Sequence, residues 1–408
     1  MSAVSPPCSW PPVLLGLTRL MRLAYHGGDL TQTMRDLVER IQRDPKDAAA
    51  LLDLSTIHLL CGRRDLGLAC QAQALAVEQV YHQPAAIHSP DGLRVLMFAT
   101  AGDFMDNMPI DLLLEDSDVA VDVLFIGPGL PPPSRIPDHD VAIVGIAESD
   151  ANRTTLDALT PFLTTWPRPV LNLPERILRL GRETLWQLLG DLPGVCIPPT
   201  VRVTRDALAT LATEQRSLDA LAPGGTFPII VRPVGSHAGT GLEKLDAPDA
   251  IAPYLASQDV DVFYLSNFID YRNPDGQFRK YRLAFIDGRP YACHVAIADH
   301  WMLHYLNAGM TESAEKRANE AEIFARFDDT FALRHEEAMK AMSDRIGLGY
   351  YVVDCGETPD GRLLIFEAGT VMLVHAIDAV PPFAYKLPQM RKVFGAFRHM
   401  LDAARAPR

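Results

Sequence analysis

The stretch that decides the fold runs from Tyr350 to Gly369, YYVVDCGETPDGRLLIFEAG. It reads as two apolar strands joined by a tight turn, with one acid inside each strand. Asp360-Gly361 supplies the positive φ angles of a two-residue type I′ hairpin loop. With that loop Pro359 faces Arg362, and counting back sets Asp354 directly opposite Glu367. Carboxylates opposed on one sheet face repel, and a divalent cation held by hard oxygen ligands relieves the repulsion. Solvent, or an Arg for each acid, would relieve it as well. The flanking runs Tyr351-Val352-Val353 and Leu363-Leu364-Ile365-Phe366 make exposure uncomfortable. A four-residue loop would leave the acids diagonal on one face, whereas a loop of odd length would put them on opposite faces.

The chain has 408 residues, enough for two or three domains, and 48% of them are hydrophobic. No apolar run approaches the 18 or so residues of a transmembrane helix. The N-terminus MSAVSPPCSWPPVLLGL lacks the basic lead-in and small-residue cleavage site of a secretory signal. Six cysteines (Cys8, Cys61, Cys70, Cys196, Cys293, Cys355) are scattered without a CxxC pair, the pattern of reduced thiols in a cytoplasmic protein. A net charge of −13 argues against general binding to the nucleic-acid backbone. It leaves room for a local cationic pocket.

Residues 14 to 81 follow a helical pattern that repeats. Leu51, Leu54, His58, Gly62, Gly67, Ala74 and Leu75 recur at tetratricopeptide-like spacings from Ala48. A shift back by the period of roughly 34 residues gives Leu17, Leu20, Ala24, Gly28, Leu37 and Ile41. Two such helix-turn-helix units bury their stripes against each other and need a further surface to pack on. They read as a helical cap or dimer surface, or as a docking groove for a peptide or protein.

The next segment alternates strands (93–99, 119–126, 141–144, 169–172) with helical or irregular stretches, the sign of a small parallel α/β unit. No glycine fingerprint follows its first strand, so it is not read as a dinucleotide site. Further on, Phe227 to Pro233 is a strand that carries Arg232 into the loop Gly235-Ser236-His237-Ala238-Gly239-Thr240-Gly241. Glycine backbone N–H groups can curl around phosphate oxygens, with Arg232 adding charge, although an ordinary mobile turn has the same composition. A strand meander spans 261–298, and within it Lys280 and Arg282, two apart, share a face. The stretch 311–346 is mostly helical, and a last helix runs from about 386 to 404.

A glycine loop with a cation, a cationic strand and an acidic hairpin, in that order, suit an anionic nucleotide and its metal. The set resembles the ATP-grasp superfamily, in particular its glutathione synthetase-like and ribosomal-protein-modifying (RimK-type) ligases, over roughly residues 92 to 400. The resemblance implies an α/β chain of three parts. Two of these are an α/β substrate domain (89–180) and an ATP-grasp domain (181–408), the last divided near residue 265; the helical tetratricopeptide-like region (1–88), read from its repeat, is the first. It implies ATP and Mg2+ as cofactors, with Asp354 and Glu367 on the metal and Arg182 and Arg232 on phosphates. Ser236, His237 and Gly239 would close over those phosphates. Tyr264, Leu265 and Asn267 lie on the strand that meets adenine, Lys280 joins the nucleotide-binding set, and Arg282 would stabilise the transferring group. The implied activity joins a carboxylate to an amine through an acylphosphate, on an amino acid, peptide or protein substrate. The chain departs from the family at three places: both phosphate-binding lysines read as arginine, and Gly369 stands where a metal-binding Asn is usual. Asp378 or His375 could replace that ligand. The same departures would suit a nucleotide-binding scaffold that no longer ligates.

Overall fold

The computed structural model describes residues 10–213, 217–236 and 239–405. The chain divides into two compact units, one of residues 1–178, 348–352 and 369–408, the other of 179–347 and 353–368. None of the described helices is long and apolar enough to cross a membrane.

The first unit begins with two helical hairpins: α1 (Leu17–Tyr25) with α2 (Leu30–Arg43), and α3 (Ala48–Leu60) with α4 (Arg64–Val77). Asp29 and Asp47 cap α2 and α3 by accepting the backbone N–H of Thr31 and Ala50. Leu20, Leu37, Ala50, Leu54 and Ile57 form their shared core. Gly67 lets α3 and α4 touch: a Cβ there would lie 2.8 Å from the Leu59 side chain, and Ser55 Oγ donates to the Gly67 carbonyl at 2.7 Å.

A five-stranded sheet follows, made of β1 (Val80–Gln83), β2 (Arg94–Ala99), β3 (Ala120–Phe125), β4 (Val141–Val144) and β5 (Val170–Leu171). Its order is β1-β3-β2-β4-β5, and β2 to β5 are parallel, as the alternating pattern anticipates. The helical reading of residues 80 and 81 is corrected, because β1 pairs antiparallel with β3 and buries Val80 and Tyr81. Four residues, of which two are buried, are too short a run for periodicity to separate strand from helix.

The second unit holds two sheets. The smaller runs β7-β10-β8-β9, from β7 (Thr200–Thr204), β8 (Ile229–Pro233), β9 (Glu243–Leu245) and β10 (Val262–Asn267). The larger runs β12-β11-β13-β14-β6, from β6 (Val195–Cys196), β11 (Phe278–Ile286), β12 (Arg289–Ala298), β13 (Tyr350–Glu357) and β14 (Leu363–Gly369). The single meander read over 261–298 is therefore split, since β10 joins the smaller sheet while β11 and β12 form a hairpin in the larger.

The hairpin between β13 and β14 closes one residue wider than Asp360-Gly361 suggests. Thr358 N–H donates to the Arg362 carbonyl at 3.0 Å and Gly361 N–H to the Thr358 carbonyl at 2.9 Å. The loop is thus Pro359-Asp360-Gly361, and only Gly361, at φ +81°, takes the left-handed conformation. This is a type I turn ending in a glycine bulge. Proline explains the shift: it suits the second position of a type I turn and cannot donate the ladder bond a pairing with Arg362 requires.

Candidate functional site

Asp354 lies at the centre of β13, fully buried. Arg282 grips it with both arms of the guanidinium, Nε to Oδ1 at 2.8 Å and a terminal nitrogen to Oδ2 at 3.0 Å. Lys280 Nζ reaches Oδ2 at 2.7 Å. The expectation that residues 280 and 282 share a strand face therefore holds. The β11–β12 ladder shifts register just after Arg282, a bulge of the kind that re-aims a side chain. Burial alone would raise the Asp354 pKa, but Arg282 and Lys280 outweigh it and hold the carboxyl far below its usual range.

Glu367, on β14, is held by Arg182, the first residue of the helix Arg182–Leu189. A terminal nitrogen of Arg182 donates to Glu367 Oε2, and the other donates to the Phe366 carbonyl at 3.2 Å. Burial and the charge of Asp354 oppose ionisation of Glu367, and Arg182, Lys280 and Arg232 together outweigh them, so its pKa is lowered. Direct cross-strand opposition of the two acids does not follow from the three-residue turn. They share surroundings through cations instead: Lys280 acts on both carboxylates, and Arg282 feels both.

Arg232, near the end of β8, is buried and turns to the start of the glycine loop. It donates to Ser236 Oγ at 3.3 and 3.2 Å, and to the Ser236 carbonyl. Loss of solvent first, then the neighbouring charge of Arg182, lowers its pKa to about 10. Its charge therefore survives at neutral pH. Gly239 has φ +74° and Gly241 φ +65°, conformations that favour glycine. His237 lies outside the described residues. Four cations (Arg182, Arg232, Lys280, Arg282) thus face two carboxylates, a surplus suited to a polyphosphate.

Of the strand expected to meet adenine, Leu265 is buried in the core of the smaller sheet. β10 pairs on both sides, with β7 and β8, so its backbone is committed to the ladder. The Tyr264 hydroxyl accepts from Arg202 at 2.9 Å, and the Asn267 amide bridges Thr226 N and the Gly224 carbonyl. Just past β10 lies an aromatic group, of which sequence reasoning did not assign Tyr271 and Phe366 to the site. Phe268 meets Trp301 edge-on at 5.6 Å, Tyr271 meets Phe366 at 5.0 Å, and Tyr271 donates to the Trp301 carbonyl at 2.6 Å. Beside it is a hollow of about 450 Å³ lined in part by Lys244, His300, Trp301 and Met302. Phe366 next to Glu367 was the available signal. Asp378, considered as a spare ligand, is engaged in the first unit by Lys386 at 2.6 Å.

Among the described residues no group of three or more His, Cys, Asp or Glu side chains gathers to hold a metal. The donor set still fits one magnesium, because that ion commonly takes one or two carboxylates and completes its shell with phosphates and water. Glu367 and Asp354 are the two such donors, and Gly369 has no side chain to add.

No family model matches the chain, and no curated protein matches it. Solved structures do. A RimK domain ATP-grasp protein from Sphaerobacter thermophilus is 16% identical, with 76% of this chain and 99% of that chain covered at a TM-score of 0.42. A D-alanyl-alanine synthetase A from Vibrio cholerae is 13% identical, covering 76% and 99% at 0.46. A D-Ala:D-Ser ligase from Enterococcus faecalis is 14% identical, covering 77% and 98% at 0.43. These are loose likenesses of overall shape.

Proposed function

We propose that this chain is an ATP- and magnesium-dependent ligase that joins a carboxylate to an amine through an acylphosphate. What supports the reading above all is the cluster of Arg182, Arg232, Lys280 and Arg282 around two carboxylates, with a glycine loop anchored on Arg232. Phosphoryl transfer asks a protein mainly for positioning and charge neutralisation. Arg182 and Arg232 hold the phosphates; Lys280 and Arg282 balance the charge that builds as the γ-phosphoryl passes to the substrate carboxylate and ADP departs. The amine nitrogen then attacks the acyl carbon, phosphate leaves with the bonding electrons, and the amine gives up its proton. Magnesium, when bound by Glu367 and Asp354, supplies further charge neutralisation on the phosphates. The substrate is an amino acid, peptide or protein, and the N-terminal hairpins are its docking surface or a contact for a second subunit.

One observation favours a second reading, a nucleotide-binding scaffold without turnover: both oxygens of Asp354 are already taken by protein cations. ADP release on addition of ATP, magnesium and panels of acids and amines separates the two. The ligase reading expects ADP formation that Glu367→Gln abolishes. Nucleotide binding with no turnover across a broad panel would establish the scaffold.

A further inference from the structure

Beyond the residues given roles above, a further side chain reaches the cluster. His304 follows β12 and opens a short turn at Tyr305–Asn307. Its Nε2 is buried and has no hydrogen-bond partner among the described residues. The charges that act on it are those of the cluster, Lys280, Glu367, Asp354 and Arg232. It also touches the glycine loop: a Cβ on Gly239 would lie 2.4 Å from His304 Nε2. Glycine at 239 therefore answers two demands, the positive φ and the imidazole seated against the loop.

The ring is held in place from both sides. The Asn307 side chain accepts the His304 backbone N–H at 2.8 Å, and the Asn307 backbone N–H, shared with the His304 carbonyl, turns back to the His304 side chain. With Nε2 lacking a partner, Nδ1 is the atom that accepts. The next residue is anchored as well: Tyr305 donates to Glu320 at 2.8 Å, and fully buried Glu320 also accepts Val295 N–H at 2.7 Å. An imidazole whose Nδ1 accepts carries its proton on Nε2 when neutral. Burial lowers its pKa, which favours that neutral form. A buried N–H without an acceptor is costly unless something arrives to take the bond.

We propose that His304 is a nucleotide-contacting residue whose Nε2–H donates to an oxygen of the terminal phosphoryl group beneath the glycine loop. The inference rests on the nucleotide-binding reading of this site and adds a residue to it. It is tested by titrating the full chain with magnesium and either ADP or a non-hydrolysable ATP analogue. His304→Ala should weaken the analogue on the order of tenfold while moving ADP by less than about twofold, as expected for one bond to a charged group. His304→Gln, which keeps an N–H donor, should recover most of the loss. Equal losses for both nucleotides would reduce His304 to a packing partner of Gly239, and no loss would remove it from the site. Should the alanine variant not fold, ring-nitrogen resonances of the unaltered protein decide. The Nε2–H form should be present, and its signal should move with the analogue and not with ADP; any other pattern overturns the proposal. If the unaltered protein binds neither nucleotide, the reading of the site itself fails and His304 falls with it.

Discussion

Asp53 and Asp354 are both buried carboxylates, at 2% and 0% exposure, yet their surroundings treat them in opposite ways. Asp53, on α3, accepts the backbone N–H groups of Leu15 and Gly16 at 2.9 and 3.4 Å and forms no ion pair among the described residues. Burial prevails, and its pKa is pushed up to about 6. Asp354 has two cations within 2.8 Å and is held far below the usual range. The first acid ties the lead-in of α1 to α3. The second is a fixed negative charge that organises cations. Burial thus does not mark a functional acid; burial together with charged partners in surplus does.

The comparison is broken most forcefully at Arg282. Arg282→Met leaves Asp354 with Lys280 alone, and loss of one partner from a buried pair costs about 3–5 kcal/mol. Urea denaturation at pH 7 should show it. A loss below about 1 kcal/mol would mean the pair behaves as a surface ion pair.

The pH responses of the two acids should run in opposite directions. Folded Asp53 keeps a proton between about pH 4 and 6, where the unfolded chain has released it, so stability falls as pH rises through that window. A shift of about two units corresponds to about 3 kcal/mol. Asp354 instead contributes stability above about pH 4 that is lost as the pH falls below it. In denaturation at pH 4, 5 and 8 the unaltered chain should lose stability relative to Asp53→Asn, by about 3 kcal/mol in all, as the pH rises through the window. A constant gap across all three would sink the assignment.

A smaller change sharpens the comparison. Lys280→Met removes the second cation and should cost about 2 kcal/mol, the scale of one hydrogen bond to a charged group. Acid unfolding should begin at a higher pH, because Asp354 moves toward the situation of Asp53. Smallest is the turn. Gly361→Ala, at φ +81° with nothing within 4 Å of the added methyl, should cost about 1–2 kcal/mol by backbone strain alone. That loss should be the same at pH 5 and pH 8.

Much of the fold was legible because it rests on local patterns. The parallel strands of the first unit are continuous apolar runs, and the helical hairpins carry caps and small residues at their crossings. Strand β1 was not legible, since four residues do not establish a period. The hairpin loop was misjudged because Asp-Gly outweighed the preceding Pro359, whose missing N–H decides the closure. In the site, Arg182, Arg232, Lys280, Arg282, Asp354 and Glu367 were all named from sequence, and each meets another of the set or its expected loop residue. The place of His304 at the loop was not legible, because it depends on Gly239, 65 positions away in the chain.

The sequence by itself determined which charges exist, their order along the chain and the strands that carry them, because alternation, turn chemistry and capping act over a few residues. Only the tertiary structure decided who pairs with whom. Arg182 reaches Glu367 across 185 positions and Arg282 reaches Asp354 across 72. Such pairings follow from sheet order, in which β11 lies beside β13, and from burial, which makes an unpaired charge too costly to leave. No local pattern encodes either one.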